Sequence, residues 1–101
     1  MIIYNVTIKV DANIAAEWLP WLLEEHAPAI MATNCFTRYH VIKLLEVDDA
    51  EGPTYAVQYH ANSMEDYQRY LAEFADNFRK QSTNKWGDRF IAFRTLMEVV
   101  K

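Results

Sequence analysis

Residues 35–61, CFTRYHVIKLLEVDDAEGPTYAVQYHA, decide the fold. Two runs in this stretch, YHVIKLLEV (39–47) and TYAVQYHA (54–61), are dense in the β-branched and aromatic residues that suit a pleated strand. Between them lies DDAEGP (48–53), whose acids and Gly52 favour a turn. Pro53 has no amide to give to a ladder, so it fits only a strand's first position or a place outside it. The stretch is predicted to be an antiparallel hairpin. Pairing symmetric about the turn puts Leu44 opposite Gln58 and Ile42 opposite His60, with His40 diagonal to His60.

Upstream of the hairpin, IIYNVTIKV (2–10) alternates as a strand, with Ile2, Tyr4, Val6, Ile8 and Val10 on one face. Ile3, Asn5, Thr7 and Lys9 form the other face. Asp11 or Asn13 can cap the helix that follows, WLPWLLEEHAPAIMA (18–32), whose predicted buried stripe is Trp18, Trp21, Leu22 and Leu23. Pro20 implies a kink or a late start, and Pro28 a second interruption. Asn34 suits a left-handed end. Downstream, Ser63 and Asp66 make a capping signature ahead of Met64, Tyr67, Tyr70, Leu71, Phe74 and Phe78 at helical spacing. The periodicity fades in NFRKQSTNK (77–85), which reads as frayed helix or loop. A last strand runs from Phe90 to about Val100 and is apolar on both faces. Ile91, Phe93, Met97 and Val99 are assigned to the helices, Phe90, Ala92 and Leu96 to the opposite side.

The order β-α-β-β-α-β with right-handed crossovers leads to an α+β, ferredoxin-like domain spanning residues 1–101. Its antiparallel sheet has strand order 4-1-3-2, with both helices on one face. The open face then carries Asn5, Thr7, His40, Gln58, His60 and Arg94, with Arg38 nearer the end. Two imidazoles, an amide, a hydroxyl and a guanidinium can provide a proton acceptor, orienting donors and an anion clamp. The same groups equally suit a wet dimer contact. A last strand with two apolar faces needs cover on the second, so a homodimer burying Phe90, Ala92 and Leu96 is expected.

Two motifs widen this reading. EEH-x-P-x-x-M-A-T-x-C-F at Glu24–Phe36 and F-R-T-L-x-E-V at Phe93–Val99 resemble a bacterial domain-of-unknown-function family within the dimeric α+β barrel superfamily. The resemblance covers essentially the whole chain. It implies a ferredoxin-like fold in which two open sheet faces enclose a lumen. The wider superfamily includes cofactor-independent monooxygenases, sugar mutarotases, haem-associated enzymes and ligand-sensing domains. The expectation is therefore a homodimeric module that binds a small molecule or a protein. The competing class is a cofactor-independent monooxygenase or isomerase with its site in the lumen.

Bulk properties narrow the partners. A net charge of −4 over 101 residues opposes nucleic acid and anionic membranes. Tyr4, Tyr55 and Tyr59 also fall on the predicted helix face and not on the open face where bases would stack, and no run of ~18 apolar residues could span a bilayer. A single cysteine excludes an intrachain disulfide, and the strand pattern begins at Ile2 without a leader, so a cytoplasmic location is expected. Cys35 reads as a small buried hydrophobe. His26, His40 and His60 lack metal-ligand spacing, so no metal and no cofactor are expected. Glu24, Glu25 and His26 read as a solvated helix end.

Overall fold

The central strand of the sheet is β1 (Ile2–Val10), held antiparallel by β3 (Thr54–Ala61) on one side and β4 (Phe90–Glu98) on the other. The short β2 (Arg38–Lys43) pairs with the outer side of β3, so the order is β2-β3-β1-β4, as the sequence predicts. These elements come from a computed structural model that describes residues 1–101. The first helical segment comprises α1 (Ala15–Trp21), one wide π turn (Leu22–His26) and α2 (Ala27–Met31). The second comprises α3 (Met64–Glu73) and α4 (Ala75–Trp86). Ile2, Tyr4, Ile8 and Val10 join Tyr55, Val57 and Tyr59 in a core closed by Trp18, Leu22, Ile30, Tyr70, Phe78 and Trp86. Both helical segments therefore cover one face of the sheet, and the other stays open. No helix is long and apolar enough to cross a membrane.

Local chemistry explains the ends of the elements. Ser63 accepts a hydrogen bond from the Asp66 amide at 3.2 Å, the expected N-cap of α3. Asn34 takes φ +63° beyond α2. Pro20 lies inside α1 and Pro28 in the first turn of α2. A proline ring crowds the carbonyl one turn earlier. Just ahead of Pro28 the helix widens, and the Ala27 amide reaches back five residues to the Leu22 carbonyl.

Four expectations need correction. The hairpin is not symmetric about its turn: Arg38 pairs with His60, His40 with Gln58 and Ile42 with Ala56. The β2–β3 ladder ends at the bond from the Leu44 amide to the Thr54 carbonyl, and residues 51–53 fold onto the end of β1 instead of extending β3. There the Val10 amide donates to the Pro53 carbonyl and the Ala12 amide to the Glu51 carbonyl, both at 2.9 Å. Gly52, at φ +143°, allows this approach, since a Cβ there would lie 1.8 Å from the Val10 carbonyl oxygen. The slip relative to symmetric pairing is even, so every side chain keeps its face. His40 still meets His60, edge to face at 5.3 Å.

Second, NFRKQSTNK is helical, and α4 continues to Trp86. Third, β4 is turned the other way. Tyr4 pairs with Leu96, Val6 with Arg94, Ile8 with Ala92 and Val10 with Phe90. Paired residues share a face, so Phe90, Ala92, Arg94 and Leu96 lie on the helix side. Ile91, Phe93 and Met97 lie on the open face. A strand apolar on both faces does not declare its orientation, and the ladder to β1 decides it. Fourth, Leu23, Met64 and Leu71 are exposed despite their stripe positions.

Candidate functional site: a cavity between sheet and helices

Between the sheet and the helices lies a cavity of about 360 Å³. Its floor is Tyr4, Val6 and Ile8 of β1, Val57 and Tyr59 of β3, and Ala92 and Arg94 of β4. Leu22, His26 and Ile30 close it from the first helical segment, and Tyr70, Phe78, Arg79, Ser82 and Thr83 from the second. The space follows from side-chain size. Phe78 and Trp86 are buried at either end of the inward stripe of α4, with Ser82 one turn from each. A serine between two large aromatics leaves room that a leucine would fill. Its hydroxyl turns back to the Phe78 carbonyl at 3.2 Å.

The polar end of the cavity is built on one phenol. Arg94 Nε donates to Tyr4 Oη at 3.2 Å from the edge strand, and Arg79 Nη2 donates to the same oxygen at 3.3 Å from α4. Tyr4 is buried, Arg79 half-buried and Arg94 exposed, which places Arg94 at a mouth along the β4 edge. The hydrogen bond to Tyr4 raises the Arg79 pKa despite the opposing effect of burial. Burial pushes the Tyr70 hydroxyl up and keeps it protonated, with Tyr4 adding to the effect and Arg79 and Arg94 opposing it. No aspartate or glutamate lines the cavity. The single ion pair of the molecule joins Lys9 and Glu51 at 3.9 Å on the surface. Two guanidinium groups therefore converge without a counter-ion, each keeping most of its donors free.

His26 faces the cavity from the π turn, not solvent, which corrects its reading as a solvated helix end. The widened turn breaks α-helical spacing and re-aims the residues it contains; such turns are frequent at functional sites. The imidazole stacks on Trp21 at 4.5 Å and meets the edge of Phe78 at 5.8 Å. Its Nδ1 is buried without a hydrogen-bond partner. Burial lowers its pKa from 6.5 to about 4, so the ring is neutral at neutral pH. The unfolded chain binds this proton at a higher pH than the folded one. Stability linked to His26 is therefore complete above the ordinary value of 6.5 and is lost as pH falls towards about 4. The loss amounts to about 3 kcal/mol. Urea unfolding of wild type and His26→Gln between pH 7 and pH 4 should show a shallower acid loss in the variant, by roughly that amount. Equal slopes would mean that His26 is solvated.

The open face holds a separate polar group. Asn5, Thr7, His40, Gln58 and His60 lie together there as predicted, but Arg94 does not; it belongs to the cavity. Asn5 Nδ2 donates to Thr7 Oγ1 at 3.0 Å. Asn5 and His60 are only 8% and 6% exposed, and Asn5 Oδ1 and both His60 nitrogens have no partner. Burial, then Arg38 and His40, lowers the His60 pKa. Ile91 and Phe93 on the same face are 56% and 65% exposed. Phe90, Ala92 and Leu96, expected on this face, are on the other. Sequence reasoning does not single out Tyr4, His26, Tyr70, Arg79, Ser82 and Thr83, which line the cavity. One signal was available, namely the polar side chains that interrupt the inward stripe after Phe78.

Comparison with known proteins agrees with this architecture. The family model described as Domain of unknown function (DUF4286) matches residues 1–100. No curated protein matches the sequence. Among solved structures, a dimeric ferredoxin-like protein from an uncultured marine organism is similar, with TM-score 0.75 and 13% identity, covering 99% of this chain and 95% of that one. A variant of SnoaB, a cofactor-independent oxygenase from Streptomyces nogalater, has TM-score 0.71 and 14% identity, covering 99% and 94%. A variant of MhuD with two manganese protoporphyrin IX bound per active site has TM-score 0.70 and 19% identity, covering 100% and 96%. These likenesses establish the ferredoxin-like fold.

Proposed function

The chain belongs to the DUF4286 family, a domain of unknown function, and we propose that it is a cytoplasmic homodimer that binds a small molecule in the cavity of each protomer. The observation that carries this reading is the cavity itself. Its volume of about 360 Å³ falls in the range of ligand sites, and its wall is apolar with a few convergent polar groups. The π turn places His26 on its wall. Similar folds serve a cofactor-independent oxygenase in SnoaB and hold porphyrin in MhuD. The open faces of two protomers pair, so Asn5, Thr7, His40, Gln58 and His60 become the wet part of the contact, framed by Ile91, Phe93 and Met97. A free, buried Cys35 suits a reducing compartment.

Filling the cavity tests the reading. Ser82→Leu adds bulk where Ser82 lines the space and is expected to abolish the thermal shift that a metabolite panel gives the wild type. His60→Ala, on the open face, should leave that shift in place. The reverse pattern would move the site to the lumen.

An enzymatic reading is favoured by one observation. A neutral imidazole faces a cavity that also holds two guanidinium groups, and that arrangement can accept a proton from a bound acid while stabilising the anion left behind. His26→Gln should then abolish turnover of any substrate found by product analysis while sparing its binding. Undiminished turnover would exclude His26 as the base.

A further inference from the structure

Arg79 and Arg94 present an arrangement that a structural role does not explain. A partly buried guanidinium such as that of Arg79 is ordinarily matched by a carboxylate, whereas here the exposed Arg94 brings a second positive charge to the same point. Here both converge on the neutral side chain of Tyr4, at 3.3 and 3.2 Å, in a chain whose acids outnumber its bases by 14 to 10. The acid that acts on Arg79 is Asp76, three residues earlier on α4, and it contributes least among the causes of the Arg79 shift and forms no ion pair. Arg79 Nε is buried without a partner. The sequence thus keeps two like charges at one end of a cavity with no acid on its wall.

Extending the cavity-binding reading, we infer that the ligand is an aromatic carboxylate, its carboxylate held between Arg79 and Arg94 and its ring against Tyr70 and Phe78. Tyr4 supplies the spacing: by engaging one donor from each guanidinium it holds both forks at a fixed separation, with the remaining N–H groups free. A planar fork matches a carboxylate with two parallel hydrogen bonds, and two forks can share its two oxygens. The rest of the cavity suits a flat, unsaturated body. Tyr70 and Phe78 stack nearly parallel, 11° apart at 6.3 Å, and offset or edge contacts with a third ring are favourable there. His26 stands on the wall from the first helical segment, where its neutral ring adds a further aromatic surface for the ligand.

Calorimetric titration of the homodimer with 2-naphthoate and with its neutral isostere 2-naphthamide tests the class separately from the site. Naphthoate is expected to bind at least tenfold more tightly than naphthamide. Arg94→Gln, a change at the exposed mouth that leaves the core intact, should remove that preference by weakening naphthoate binding at least tenfold more than naphthamide binding. Arg79→Gln should do the same if it folds. Equal affinities in the wild type, or a preference that survives Arg94→Gln, would overturn the carboxylate assignment while leaving the cavity as a ligand site. Binding of neither compound would overturn both.

Discussion

With the open faces paired as proposed, Phe93→Glu is expected to yield a monomer. Phe93 is 65% exposed at the centre of β4 on the open face, with Ile91 two residues away at 56%. Burying an aromatic or aliphatic side chain of this kind contributes about 1.5–3 kcal/mol, and a two-fold contact counts each position twice. A glutamate there forgoes that burial and forces a carboxylate into the contact, which costs several kcal/mol more. Even about 3 kcal/mol raises the dissociation constant more than a hundredfold. Light scattering at micromolar concentration should give the monomer mass for this variant and the dimer mass for the wild type. Leu96→Glu, on the helix side of the same strand, should leave the mass unchanged. An intact dimer in Phe93→Glu would mean that another surface makes the contact.

Gly52→Ala is expected to be the most damaging conservative change in the chain. Its φ of +143° is a conformation that L residues rarely adopt, and its missing Cβ would meet backbone on every side, 1.8 Å from the Val10 oxygen and 2.7 Å from the Ala12 nitrogen. Neither atom belongs to a side chain that could swing away. Relief requires the loop to lift from β1, releasing the Val10–Pro53 and Ala12–Glu51 hydrogen bonds. Backbone strain of roughly 1–3 kcal/mol, together with about 1 kcal/mol for each lost bond, is a large part of the stability of a small domain. Urea unfolding should show a loss of at least about 3 kcal/mol. A loss below about 1 kcal/mol would mean that the loop does not dock on β1.

The contrast between these two positions shows what the sequence could and could not reveal. Alternation in β1 and β3, the Ser63 cap and the left-handed Asn34 are local signals, and each is legible because one residue type meets one backbone requirement. Gly52 was legible as a turn residue, but the closeness of Val10 was not, because it depends on a contact between distant residues. The orientation of β4 was ambiguous for the same kind of reason. With Phe90, Ala92 and Leu96 on one side and Ile91, Phe93 and Met97 on the other, hydrophobicity alone favours neither, and only pairing with β1 separates them.

The site was hidden by its own chemistry. Arg79, Ser82 and Thr83 are polar because they face a cavity, yet polar residues at inward positions weaken the helical pattern and make α4 resemble a loop. Arg94, read as an anion contact on the open face, lies on the helix face opposite Val6. His26 reads as part of a solvated helix end beside Glu24 and Glu25, although Trp18, Leu22, His26 and Ile30 recur every four residues and Leu22, His26 and Ile30 share the cavity wall. The open-face cluster of Asn5, Thr7, His40, Gln58 and His60 was fully legible, since strand parity survives the register slip of the hairpin.

The central claim, that the ligand lies between sheet and helices and not between the two open faces, is tested most directly by anomalous scattering from a co-crystal with 6-bromo-2-naphthoate. The bromine peak is expected inside the cavity, among Leu22, Val57 and Phe78, with the carboxylate beside Arg94. A peak in the lumen beside His60, with the cavity unaltered, would contradict the account.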